Sequence, residues 1–212
     1  MTAEFVLLST VYYLLQESKK KVHNKSMFLK RLGAFFLDIT EVVVFAIAIF
    51  LFVYLLVLQP HKIKGASMEP NFPDGEYLLT DKVSYRFGEP QRGDVVVFEA
   101  PVANGEEYIK RIIGLPGERV SIKGNQIYIN DEALVENYLP SQLPTKPGAF
   151  LEEGKEVVVP ANHFLVLGDN RIASSDSRSW GFITKESISG RAWIIYWPPP
   201  EVGIVAKASY QL

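Results

Sequence analysis

Two residues in this sequence have side chains and settings suited to nucleophilic chemistry. Ser67 sits in Lys64-Gly65-Ala66-Ser67-Met68-Glu69-Pro70. Gly65 allows close backbone approach there, and Pro70 biases Glu69 toward extended geometry. Taken alone, Ser67 is a turn serine. Lys110 sits in Tyr108-Ile109-Lys110-Arg111-Ile112-Ile113, where strand alternation puts Tyr108, Lys110 and Ile112 on one face. A lysine between an aromatic and an aliphatic neighbour can be desolvated, and desolvation favours the neutral amine. Such an amine can take the proton of a serine hydroxyl. Taken alone, Lys110 is better read as a snorkelling strand-edge lysine. Arg111, on the opposite face, is expected to be a solvated charge.

A third cluster, Gly168-Asp169-Asn170-Arg171-Ile172-Ala173-Ser174-Ser175-Asp176-Ser177-Arg178, follows an apolar run. So many short polar side chains predict a loop held by its own hydrogen bonds. Asp169, Asp176, Arg171 and Arg178 can pair, since arginine engages a carboxylate in bidentate fashion. The serines are candidates to orient a general base.

Composition removes other chemistries. The 212 residues include no cysteine, so thiol nucleophiles, disulfides and thiolate zinc sites are excluded. A net charge of −2 argues against a nucleic-acid partner, which needs a concentrated basic face. His23, His61 and His163 are too scattered for a metal cluster. No metal or organic cofactor is expected. A Ser-His-Asp hydrolase would have to recruit His61 or His163, and His163 reads as a turn or surface residue. An SxxK acyl enzyme is disfavoured because Pro70 stands three residues after Ser67.

The elements that must position these groups read as β. After Pro60, short β-branched and aromatic runs alternate with Gly, Pro, Asp and Asn. Strands are expected at Tyr77–Ser84, Val95–Glu99, Tyr108–Ile113, Arg119–Lys123, Gln126–Asn130, Phe164–Leu167 and Arg191–Tyr196. Gly124-Asn125 is a two-residue hairpin signal. Residues 131–156 read mostly as loop, and a connection of that length is usually functional or mobile.

Ahead of the β region, Val42–Leu58 is a run of seventeen residues without a charge, an amide or a glycine. It lacks the polar face of a core helix and is expected to span a membrane. Lys19, Lys20, Lys21, Lys25, Lys30 and Arg31 precede it with no acid among them. The positive-inside rule then keeps the N-terminus in the cytoplasm and sends residues 60–212 across. A cleaved signal peptide fits poorly, because the run is long, starts late and lacks a small-x-small exit. Phe5–Leu15 is too short to span and is expected to lie in the interface, with a second span as the alternative. Three parts follow: a cytoplasmic segment 1–31, a transmembrane helix 32–59 and an extracytoplasmic domain 60–212.

Gly65–Pro70, Gly93–Phe98, Tyr108–Gly117 and Gly168–Arg178 together resemble, in order, the motif boxes of type I signal peptidases. These are membrane-bound Ser–Lys endopeptidases, and the likeness covers roughly residues 60–198. The resemblance implies a mainly β, antiparallel catalytic domain behind an N-terminal transmembrane helix, with an apolar, membrane-facing surface. It implies Ser67 as nucleophile and Lys110 as general base. Ser174 corresponds to the serine that orients the lysine, and Asp169, Asp176 and Arg178 to residues bracing the site. Met68, with Gly65 and Ala66, lies beside the substrate cleft in this reading. The implied partners are exported preproteins cut after a small-x-small motif, typically Ala-x-Ala, and the lipid bilayer. A monomer is expected, in the cytoplasmic membrane of a bacterium.

Two positions depart from the pattern. Gly65 stands where many relatives have a serine that joins the oxyanion hole, leaving the second donor open. Glu118 stands where aspartate is common. Two rivals remain at this level: a self-cleaving Ser–Lys peptidase of the SOS-repressor kind, which would carry a DNA-binding domain, and an inactive anchored β module that binds peptide or lipid.

Overall fold

The computed structural model describes residues 3–103, 105–140, 143–208 and 210–211. It falls into two units, divided between Phe52 and Val53.

The first unit is helical. Helix α1 runs unbroken from Ala3 to Leu56, so Phe5–Leu15 is not a separate short helix. Residues 16–31 carry no glycine or proline and several good helix formers, so nothing breaks the chain between the two apolar stretches. Met27–Leu56 is long and apolar enough to cross a membrane, and none of its most apolar window is buried. Its thirty residues extend about 45 Å, enough to span a hydrocarbon core about 30 Å thick with tilt.

The second unit is β. In chain order its strands are β1 (Leu58–Lys62), β2 (Tyr77–Asp81), β3 (Val95–Glu99), β4 (Glu107–Gly114), β5 (Arg119–Lys123), β6 (Gln126–Ile129) and β7 (Glu132–Ala133). There follow β8 (Val135–Glu136), β9 (Glu156–Val158), β10 (His163–Leu167), β11 (Ile183–Thr184), β12 (Ile188–Trp197), β13 (Gly203–Ile204) and β14 (Tyr210–Gln211). The main sheet runs β1-β2-β12-β3-β4-β10-β11, with β13 added to β12, and its pairings are antiparallel. A four-stranded sheet, β7-β6-β5-β9, and the pair β14-β8 complete the unit. Pro60 lies in β1, at the end of the main sheet, where a residue without an N–H is tolerated.

Strand β3 shows how the core is divided. Val95 and Val97 enter one apolar cluster with Ile63, Met68 and Leu78, while Val96 and Phe98 enter another with Ile112, Phe164 and Val166. Its alternating side chains are thus buried on both faces, which is why the run reads as continuously apolar. The smaller sheet closes a third cluster around Val120, Ile122, Ile127 and Leu151. The turn between β5 and β6 holds Gly124 and Asn125 at φ of 60° and 63°, as a type I′ hairpin requires. The described residues of the segment 131–156 are more ordered than their composition suggests. It contains β7, β8 and the first residue of β9, and Leu151 is buried in the third cluster.

Candidate active site

Ser67 lies in the loop between β1 and β2, and Lys110 lies on β4. Forty-three positions apart in sequence, their Oγ and Nζ atoms are 2.8 Å apart. Lys110 Nζ also donates to the Ile109 carbonyl at 2.8 Å and stands 5.4 Å from the centre of the Tyr108 ring. The side chain is buried, and burial lowers its pKa from the usual lysine value to about 8, against the opposing pull of Asp176 and Asp169. The amine is therefore neutral over a pH range where an exposed lysine is charged.

The serine's loop is pinned from the 168–178 loop. Asn170 N–H donates to the Ser67 carbonyl at 3.1 Å, and its side-chain amide donates to the Ala66 carbonyl at 2.9 Å. Gly168 makes this approach possible: a Cβ there would stand 2.2 Å from Ser174 Oγ and 2.4 Å from the Ser67 carbonyl oxygen. Gly65, at φ +84°, donates its N–H to Asp74 Oδ1 at 2.7 Å, so that donor is occupied. Among the described residues Ser67 N–H has no hydrogen-bond partner, leaving it free to face a developing oxyanion.

The pinning loop is itself braced by buried ion pairs. Asp176 caps the helix Ser177–Trp180, accepts from Gly168 N–H at 3.1 Å and pairs with Arg178 at 2.8 Å. Arg178 also donates to the Arg171 carbonyl at 2.7 Å. Asp169 takes Arg111 in bidentate fashion at 2.9 and 2.6 Å, and the Asn71 amide at 2.9 Å. Arg171 pairs with Glu136 at 2.6 Å and donates to Thr145 at 2.8 Å.

Several sequence expectations change here. Arg111 is not a solvated charge: it is buried, bonded to Asp169 and to the Gly93 carbonyl at 3.0 Å, with its guanidinium 4.1 Å from the Tyr138 ring centre. Alternation identifies a strand face but not whether a loop covers it, and here the Asp169 loop does. Ser174 lies beside Gly168 and the Ser67 carbonyl; its hydroxyl is buried without a partner among the described residues and is not bonded to Lys110. Met68 is fully buried with Ile63, Phe72 and Leu78, so it backs the cleft rather than lining it. Gly65 and Ala66 are exposed beside Ser67. Asn71, Asn170, Arg111, Glu136 and Thr145 were not legible as site residues, although Asn170 stands inside the polar cluster that marked the loop.

Beside Ser67 and Lys110 opens a cleft of about 830 Å³, lined by Ile63, Leu78, Val97 and Ile109 and reaching His61 and Glu107. Two strand edges border it. Strand β1 has β2 on one side only, and Glu107–Lys110 of β4 has β3 on one side, because β10 joins β4 only from Arg111 onward.

Known proteins resemble this chain in sequence. The family model for signal peptidases, peptidase S26, matches residues 36–197. The probable signal peptidase I-2 of Synechocystis sp. is 38% identical over 80% of this chain and 77% of its own length. Signal peptidase IB of Staphylococcus aureus strain COL is 36% identical over 72% of this chain and 85% of its own. A solved signal peptidase I from Enterococcus faecalis V583 is 33% identical and covers 49% of this chain and 97% of that one, with a TM-score of 0.42. With a family match over most of its length and relatives of this identity, the chain belongs to the signal peptidase family, peptidase S26, and is a serine endopeptidase.

Proposed function

We propose that this enzyme removes signal peptides from exported preproteins by a Ser67–Lys110 dyad, cutting after a small-x-small motif. The observation that carries this reading is the 2.8 Å contact between Ser67 Oγ and a buried Lys110 Nζ. Neutral Lys110 accepts the Ser67 proton as the oxygen attacks the scissile carbonyl carbon. The negative charge on the carbonyl oxygen faces Ser67 N–H. Collapse of the tetrahedral intermediate breaks the C–N bond, and Lys110 returns the proton to the departing amine. The acyl group remains as an ester on Ser67. Lys110 then takes a proton from water as its oxygen attacks the ester carbonyl; collapse of this second tetrahedral intermediate breaks the C–Oγ bond, Lys110 returns the proton to Ser67 Oγ, and the new C-terminal acid leaves.

The stretch before the cut lies extended in the cleft, adding a strand beside β1 and the open part of β4. Its apolar floor of Ile63, Leu78, Val97 and Ile109 suits small aliphatic side chains. Helix α1 anchors the enzyme in the cell membrane, the basic stretch Lys19–Arg31 keeps the N-terminus cytoplasmic, and residues 60–212 stand on the extracytoplasmic side as a monomer. The bias in positive charge beside the span supports this orientation: six Lys and Arg precede it in residues 19–31, and two, Lys62 and Lys64, follow it in residues 59–78.

Purified full-length enzyme in detergent, incubated with a preprotein bearing an Ala-x-Ala site, tests the reading. The wild type should release the mature protein, with its N-terminus mapped by mass spectrometry. Ser67→Ala and Lys110→Ala should each lose at least about three orders of magnitude in rate, as removal of a nucleophile or its base does. Full activity of either variant overturns the assignment.

A further inference from the structure

The loop that carries Ser67 is closed by a side chain from its own far arm. At its base the two arms pair through backbone: Ile63 N–H donates to the Glu76 carbonyl at 2.8 Å, and Gly75 N–H donates to the Ile63 carbonyl at 3.0 Å. The next rung uses a carboxylate instead, with Gly65 N–H donating to Asp74 Oδ1 at 2.7 Å. Asp74 is exposed and does not line the cleft. Beyond Ser67 the loop is anchored by the buried Met68 and Phe72. Ahead of Ser67, Lys64, Gly65 and Ala66 are all exposed, so burial holds none of them. Among the described residues, two hydrogen bonds tie that stretch to groups beyond the Ala66–Glu69 turn: Gly65 N–H to Asp74, and the Asn170 amide to the Ala66 carbonyl.

A peptide unit is planar, so holding one of its polar ends constrains the other. The Ala66 carbonyl and the Ser67 N–H are the two ends of one unit, and Asn170 holds that unit by its carbonyl. Asp74 holds the unit that ends in Gly65 N–H. Between the two lies Gly65 at φ +84°, the residue type with the most freedom to swing. A Cβ on Gly65 would meet nothing within 4 Å, so the left-handed backbone, not crowding, suits glycine here. With the Asp74 bond in place, Ser67 N–H is held in one direction. An oxyanion donor stabilises the transition state most when it is aimed before the charge develops.

We infer that Asp74 is a positioning residue for the oxyanion hole: its carboxylate clamps Gly65 N–H and so keeps Ser67 N–H aimed at the developing negative charge. The inference rests on the proposed Ser67–Lys110 mechanism and names what orders its oxyanion donor. In the family pattern a serine at position 65 adds a donor; this chain stiffens the donor it has. Because Asp74 stands outside the cleft, its loss weakens the transition state and leaves substrate binding unchanged.

Steady-state cleavage of one Ala-x-Ala peptide by full-length enzyme in detergent tests this, comparing wild type with Ser67→Ala, Asp74→Ala, Asp74→Asn and Gly65→Ser. The burst of a slow ester counts the active sites in each preparation. Asp74→Ala should lower kcat about tenfold, the size of one hydrogen bond to a charged acceptor, with KM within about twofold of wild type. Asp74→Asn keeps an oxygen acceptor and should stay within about threefold of the wild-type kcat. Gly65→Ser should lose activity, because serine resists φ +84°. A wild-type kcat in Asp74→Ala, a loss confined to KM, or an Asp74→Asn no better than Asp74→Ala overturns the inference, and so does a gain in Gly65→Ser. A smaller burst with normal turnover of the remaining sites marks a folding effect and overturns it too. Activity retained in Ser67→Ala overturns the mechanism itself, whereas loss there beside wild-type rates in Asp74→Ala overturns the clamp alone.

Discussion

In the proposed mechanism Lys110 works as a base only in the form that burial favours. Below about pH 8 the folded enzyme holds a charged ammonium in a buried site, and above it a neutral amine. Cleavage should therefore rise with pH and level off above an apparent pKa near 8; a profile with its limb near that of free lysine would show that burial does not tune this amine. The same shift has a cost in stability. The folded pKa is depressed below the unfolded one, so the penalty is fully present below about pH 8 and fades as pH rises toward 10.5. Lys110→Met should abolish activity yet stabilise the fold at pH 7 by about 1–3 kcal/mol. Denaturant titration at pH 7 and pH 10 checks this, with the gain smaller at the higher pH. Arg111 is the opposite case, a buried cation whose carboxylate partner is in place. Arg111→Ala leaves the buried Asp169 carboxylate with the Asn71 amide as its one remaining hydrogen-bond donor among the described residues, and should cost about 3–5 kcal/mol.

At the scale of elements, the site depends on two loops that touch through backbone. Gly168→Ala would drive a Cβ into Ser174 and the Ser67 carbonyl, displacing the nucleophile from the lysine. Cleavage should fall at least about a hundredfold, chiefly in kcat, which steady-state kinetics separates from KM. Strands Val95–Glu99 and Arg119–Lys123 were legible to the residue, because β-branched runs bounded by turn residues are a local signal. Ser67 and Lys110 were legible as groups with suitable chemistry, and the family resemblance named their roles. The braces were not. Arg171 finds Glu136 thirty-five positions away, across a segment whose prolines read as loop. Arg111 finds Asp169 fifty-eight positions away. Such pairings depend on how loops fold over the sheet, which no periodicity encodes. The unbroken helix from Ala3 to Leu56 was missed for a related reason: the polar middle of a helix looks like a boundary when only the apolar ends are weighed.

For the whole molecule, charge and hydrophobicity are sorted along the chain. A basic, apolar N-terminal part precedes an acidic β domain, and near-neutrality is only their average. Replacing Lys19, Lys20, Lys21, Lys25, Lys30 and Arg31 with glutamine should scramble the orientation of the enzyme in the membrane. Protease digestion of sealed vesicles would read this as a mixture of protected and accessible catalytic domains, against a single orientation for the wild type. With no cysteine, the β domain is held together by its three apolar clusters and its buried ion pairs. The central claim is that Ser67 becomes acylated with Lys110 as its base. The most direct test is acid quenching of the enzyme with a slow ester substrate, followed by peptide mapping by mass spectrometry. The acyl group should be found on the peptide containing Ser67 and should be missing in Lys110→Met; an adduct on another residue, or an undiminished Ser67 adduct in that variant, would contradict it.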